Sequence, residues 1–226
     1  MNKITYVVQL VVLVGIVITT PTTRTRKKTM KLPNNKYQII YADPPWSYDN
    51  FQGKGKKYGD VSAHYTTMLL EDLKKLNVNI LSDKNCILFM WATFPHLKNA
   101  IEVLESWGFK YITVAFVWVK TDSKGKYRAD GLGFYTNSNA EIVLIGKKGT
   151  FQRQCNNVKQ IIFSKKRQHS RKPDEIYQRI IDLCGKLPRI ELFARQRIEG
   201  WDVWGNEVPT DTQKRLNPDN SDTEEN

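Results

Sequence analysis

The tightest constraint on this chain is the tetrapeptide Asp43-Pro44-Pro45-Trp46, which follows an apolar run from Tyr37 to Tyr41. The run reads as a buried strand. Two consecutive prolines fix φ and remove two backbone donors, so the strand must stop there. The corner is expected to present carbonyl acceptors for which no N–H of its own competes. Asp43 adds a carboxylate and Trp46 a flat ring. Together they suit a planar group bearing an NH₂, as a nucleobase does. The end of a sheet strand is also where open α/β folds bind their ligands. The plainer alternative is a proline-rich strand exit with a helix-capping Asp43 and a surface Trp46.

The rest of the chain supplies a frame for such a corner. Leu69 to Leu76 reads as a short helix and Cys86 to Trp91 as an interior strand. Pro95 to Trp107 places Leu97, Ala100, Ile101 and Leu104 at helical spacing and stops at Gly108. Tyr111 to Val119 is β-branched and aromatic, hence a strand, and Glu141 to Ile145 is a further one. Pro173 opens a helix with Asp174 and Glu175 in its first turn and Ile176, Ile180, Ile181 and Leu183 on one face before Gly185. Arg189 to Ala194 follows as a strand whose end releases Arg195, Arg197 and a turn to Gly205-Asn206-Glu207. Strand, helix, strand with buried runs predicts an α/β fold with a mostly parallel sheet flanked by helices.

Charge divides the chain into three parts. The net charge is +12, and the first 35 residues contribute six basic residues with no acid. Residues 36–209 form the expected folded domain, and 210–226 an acidic tail expected to be disordered, with five acids against Lys214 and Arg215. Between Gly146 and Pro173 there are nine basic residues and no acid. If these face one side, they suit phosphate contact, with Lys165, Lys166 and Arg167 as candidates. Ser47 to Asp60 carries Gly53, Gly55 and Gly59 among Lys54, Lys56 and Lys57, which suits a loop closing over a phosphate-bearing substrate or a solvated surface loop. It lacks the pattern of a P-loop. Three cysteines in no CxxC pair argue against a disulfide framework or a zinc site, so no metal is expected and a reducing compartment is. Residues 4–18 are apolar but short of the roughly 20 residues of a membrane span. A signal peptide and an extension ahead of a start at Met30 are the other readings of that prefix. The expected location is the cytoplasm, or the nucleoid or nucleus, without a membrane tether.

The blocks Asp43 to Trp46, His64 to Met68, Trp107 to Phe109, Val117 to Lys120, His169 to Glu175, Glu191 to Arg195, and Gly200-Trp201 through Gly205-Asn206-Glu207 resemble, in content and order, the MT-A70-like family of adenine methyltransferases. The resemblance implies a circularly permuted Rossmann-like fold, with the catalytic turn early and the cofactor strand late. It implies S-adenosyl-L-methionine as cofactor, with Lys172 on its carboxylate, Arg195 and Arg197 near its ribose, and Asn206 and Glu207 fixing ribose and adenine. It also implies that His64 and Tyr65 border the target-base pocket. The chain has Thr66 where the family has proline, and Thr136 and Asn137 where the family carries an arginine.

The chemistry so implied is methyl transfer to the exocyclic amino group of adenine. Asp43 and the Pro44 carbonyl would draw on the amino hydrogens, Pro45 would stiffen the corner, and Trp46 would stack on the base. The partner is a nucleic acid, DNA preferred and RNA the alternative. A catalytically inert nucleic-acid-binding subunit is the reading from another class, and a homodimer or heterodimer is left open.

Overall fold

A computed structural model of the chain describes residues 12–13, 16–17, 31–47, 67–127, 135–167, 171–206 and 208. Two compact units are distinguished, Met1–Lys31 and Leu32–Asn226. In the first, β1 (Val12–Leu13) pairs antiparallel with β2 (Ile16–Val17). Among the described residues no helix is long and apolar enough to cross a membrane.

The second unit is built on β3 (Tyr37–Ala42), β4 (Ser82–Ala92), β5 (Lys110–Thr121), β6 (Ala140–Lys148), β7 (Ile161–Lys165), β8 (Arg189–Leu192) and β9 (Asp202–Trp204). They form one sheet in the order β7-β5-β6-β4-β3-β8-β9. Four of its pairings are parallel, and β6 runs antiparallel between β4 and β5. Ile39 and Tyr41 point to one face of β3, Ile40 and Ala42 to the other, and all four are buried. That two-sided burial is what a central parallel strand requires.

Helices cover both faces. On one side α3 (Glu175–Cys184) lays Ile176, Ile180 and Cys184 against Ile39, Tyr41, Phe89, Trp91, Phe116, Trp118 and Ile162. Its buried stripe has the i, i+4, i+8 spacing of one helical face. Ile181 and Leu183, expected on that face, flank it half-buried, and Pro173 lies just outside the helix, ahead of its cap Asp174. On the other side α1 (Leu70–Lys75) and α2 (Leu97–Ser106) pack together, with α2 lying on β4, β5 and β6. The Trp107 indole N–H donates to the Leu73 carbonyl at 2.8 Å and locks the pair. Gly108 ends α2 at φ 86°, a left-handed conformation that explains why the helix stops where the sequence said it would.

Two strands of this sheet were not legible as strands. β7 sits inside the basic stretch, where charge masked the short apolar run Ile161-Ile162-Phe163. β9 is three residues long, too short to show a period. The strand expected from Arg189 to Ala194 ends earlier, because Phe193 takes φ 62° and turns the chain out after Leu192. Its ring packs against Trp107 and Trp204, which holds a backbone conformation that a bulky residue rarely adopts.

Candidate active site

Strands β3, β4, β8 and β9 run in one direction, so their carboxyl ends share an edge. β5 and β7 end there as well, and antiparallel β6 begins there. Asp43, Thr93, Lys120, Glu141, Lys165, Arg195 and Asn206 therefore all emerge at that edge. Asp43 leaves β3 where the sheet's neighbours switch from β4 on one side to late-arriving β8 on the other, the place where open sheets form a ligand crevice. Its N–H reaches the Leu192 carbonyl at 3.4 Å, coupling the ends of β3 and β8. Asn206 follows β9, two strand spacings or about 10 Å from β3.

The proline corner differs from expectation in one respect. The Trp46 N–H folds back to the Pro44 carbonyl at 2.9 Å, and the Pro45 carbonyl accepts from the Met68 N–H at 2.9 Å. Each carbonyl keeps its second lone pair. The Trp46 side chain is only 8% exposed. Its indole N–H donates to the Trp91 carbonyl at 3.1 Å, and one ring face lies on the His96 imidazole, centroids 5.6 Å apart and 18° from parallel. Burial pulls the His96 pKa down to about 4, so a neutral ring backs the indole. A cleft lined by Trp46, Ser47, Met68, Leu69, Leu73, His96 and Asn99 lies beside it.

The centre of the site is an ionic chain of four side chains, of which sequence reasoning captured only the first two, Asp43 and Lys172. Lys172 Nζ lies 3.1 Å from Asp43 Oδ2 and 3.3 Å from Glu141 Oε2, and Lys120 Nζ lies 2.6 Å from Glu141 Oε1. Lys172 also sits over the Trp91 ring, and Lys120 over the Trp118 ring. Two lysines thus balance two carboxylates. Burial would push the Glu141 carboxyl up, yet the charges of Lys172 and Lys120 outweigh it and hold the pKa below its ordinary value. Burial likewise opposes the charge on Lys172, and Asp43 and Glu141 overcome it and raise the pKa. Glu141 and Lys120 were not singled out as site residues. Their signal was a lysine at the end of one strand and an acid at the start of the next, which only the pairing of β5 with β6 makes meaningful.

A second buried carboxyl stands behind Asp43. Glu191, opposite Tyr41 in the β3–β8 register, accepts a hydrogen bond from the Tyr177 hydroxyl at 2.9 Å. Burial pushes its pKa up to about 7, with Tyr177 and Arg195 lowering it and Asp43 raising it. Tyr41 in turn accepts the Trp91 indole N–H at 2.5 Å.

The basic stretch does not face one way. Lys147 and Lys148 end β6 at the opposite edge, where Lys148 donates to Asn79 Oδ1 at 2.6 Å and Ser82 Oγ at 2.8 Å. Arg167 grips Asp174 at 2.6 and 2.9 Å and also donates to the Lys172 carbonyl. It therefore holds the start of α3 and the backbone that carries Lys172, and that engagement explains why it is not part of a free phosphate-binding face. Lys165 and Lys166 are exposed. Arg195 is half-buried, Arg197 and Asn206 are exposed, and Gly205 is buried between them and the sheet. A Cβ on Gly205 would lie 2.2 Å from the Ala194 carbonyl oxygen, so only glycine lets β9 end close against β8. Lys54, Lys56, His64, Tyr65 and Glu207 lie outside the described residues.

An open α/β sheet with a switch-point crevice, a proline-stiffened carboxylate on one bank and polar side chains from a later strand on the other is the architecture of a nucleoside-binding group-transfer enzyme. The MT-A70 family model matches residues 37–207, and the chain belongs to that family. It is 41% identical over 195 residues to a type II methyltransferase, M.MunI, of a Mycoplasma species, covering 79% of this chain and 81% of that protein. It is 30% identical over 192 residues to the human N(6)-adenosine-methyltransferase catalytic subunit METTL3, covering 81% of this chain and 30% of METTL3. A putative N(6)-adenosine-methyltransferase of Medicago truncatula is 31% identical over 176 residues, covering 76% of this chain and 26% of the relative. The chain thus spans less than a third of these two eukaryotic relatives. It is an adenine methyltransferase that uses a methyl-donor cofactor.

Proposed function

We propose that this chain transfers a methyl group from S-adenosyl-L-methionine to the exocyclic amino nitrogen of adenine in DNA. The observation that carries the reading is the placement of Asp43, held at 3.1 Å by Lys172, on the sheet edge that also presents Arg195 and Asn206. The donor set suits the cofactor's groups. Lys172 and Arg195 offer cations to a carboxylate, and Glu191 and Asn206 offer hydrogen-bonding groups to ribose and base. When bound, the cofactor supplies the electrophilic methyl group.

The residues then act on the acceptor. The adenine amino nitrogen shares its lone pair with the ring and is a weak nucleophile. Lys172 occupies Asp43 Oδ2, which orients the carboxylate and assigns Oδ1 to one amino hydrogen, while the second lone pair of the Pro44 carbonyl takes the other. Both acceptors favour a tetrahedral nitrogen and stabilise its positive charge as it develops, an effect worth about 10²–10³ in rate per preorganised contact. Trp46, backed by His96, forms a rigid wall beside them. A base in a duplex must be unstacked to arrive, at a cost of a few kcal/mol.

DNA is assigned as substrate because the match to the bacterial type II enzyme runs over about four-fifths of both chains, whereas the adenosine methyltransferases match only in part of their length. The intact Asp43–Lys172 pair speaks against an inert subunit. The test is incubation with methyl-labelled cofactor and separate single- and double-stranded DNA and RNA pools. Label is expected as N6-methyladenine in DNA, and Asp43→Ala should lower it by at least about a hundredfold while the cofactor still binds. Label in RNA alone would overturn the substrate, and full activity in the variant would overturn the mechanism.

A further inference from the structure

We infer that the outer margin of the sheet, where the turn of residues 122–127 after β5 meets the end of β7, docks the DNA strand flanking the target base. The inference rests on the function proposed above and names a surface for it. Thr121 is bridged to Tyr127 on one side and paired with Lys165 on the other. Directly paired residues share a face, so Tyr127, Thr121 and Lys165 make one row, its ends about 10 Å apart. Phe163 precedes Lys165 by two residues and lies on the same face, opposite Val119. Thr121 is buried, whereas Tyr127 is 63% and Phe163 69% exposed.

The turn that carries Tyr127 is built tightly. The Asp122 N–H donates to the Lys126 carbonyl at 2.9 Å, and Asp122 Oδ1 accepts the N–H groups of Lys124 and Lys126 at 2.8 and 2.9 Å. Asp122 is thereby directed onto its own backbone, while Lys124 and Lys126 stay exposed with Lys165 and Lys166. Two exposed rings framed by four lysines match a phosphate backbone with an unstacked base. A second copy of the chain would set these lysines against each other, which disfavours self-association through this face. The row stands on the same edge as Asp43, two to four strand spacings or about 10–20 Å away. That is the length of about three to six nucleotides of one strand, so it would meet the DNA beside the target and not the target itself.

The test is binding of the full chain to a fluorescein-labelled, adenine-containing DNA with a single-stranded flank, followed by anisotropy across a salt series. Joint replacement Lys124→Ala and Lys126→Ala should reduce the slope of log affinity against log salt by about 2. Tyr127→Ala and Phe163→Ala should each weaken binding by about tenfold, with melting temperature and cofactor affinity retained. Affinity and salt slope unchanged in all of these variants would overturn the inference. So would a Phe163→Ala variant that turns a dimer into a monomer in sedimentation without loss of DNA affinity, since the face would then be a subunit interface. Binding is read apart from methylation. A wild-type chain that needs these residues to hold DNA yet transfers no methyl group would support the surface and overturn the function.

Discussion

Glu141 and Glu191 stand on the same edge of one sheet, both less than a tenth exposed, and are driven in opposite directions. Glu141 starts β6 between two lysine ammonium groups and is held ionised. Glu191 lies on β8 against a tyrosine hydroxyl, with Asp43 as a like-charged neighbour, and is pushed up to about 7. Burial penalises the charge on both. The difference lies in the partner, because a hydroxyl offers one hydrogen bond where an ammonium offers a full compensating charge. One bank of the crevice is thus an ionic lattice and the other is close to neutral, with Asp43 between them.

The largest way to break this contrast is Lys172→Met, which leaves buried Glu141 and half-buried Asp43 without their shared cation. A loss of about 3–5 kcal/mol is expected, read by urea denaturation, together with loss of methyl transfer. Glu141→Gln tests the ionic bank alone. A carboxyl with a depressed folded pKa contributes stability above its unfolded value, 4.5, and loses it as pH falls through the folded value. The variant should therefore be less stable than wild type at neutral pH by about 3 kcal/mol, and the gap should narrow on acidification.

Glu191→Gln should do the reverse. Its folded pKa lies above the unfolded 4.5, so wild-type stability falls as pH rises from there and the penalty is complete above about 7. The variant is expected to match wild type near pH 4 and to exceed it by up to about 3 kcal/mol near pH 8. A constant offset across that range would show that Glu191 is not the titrating group. Gly205→Ala acts on the Glu191 bank, where β9 ends against β8. The new methyl meets the Ala194 backbone, and about 1–3 kcal/mol of stability should be lost along with cofactor affinity. Tyr177→Phe removes one hydrogen bond to Glu191 and should cost about 1 kcal/mol.

Much of the frame was legible because it is written locally. Paired prolines end β3 whatever surrounds them, Gly108 stops α2, and the expected helical face of Leu97, Ala100, Ile101 and Leu104 is half-buried at Leu97 and Ile101 and buried at Ala100 and Leu104, with Val103 joining it. The site was legible only at its corners. Asp43 and Lys172 were singled out, but the acid and the lysine that complete their network were not. Nine basic residues in a row of 28 looked like one surface. Folding divided them between two opposite edges, and Arg167 went to Asp174.

The sequence alone determined the proline corner and the local elements, since backbone dihedrals and side-chain periods depend on near neighbours, and the order of its blocks carried the family resemblance that implied the kind of enzyme. The tertiary structure decided which charges meet. Asp43, Lys120, Glu141 and Lys172 come from four separate segments. Their distances follow from strand register and from β6 running against its neighbours, neither of which any one segment encodes.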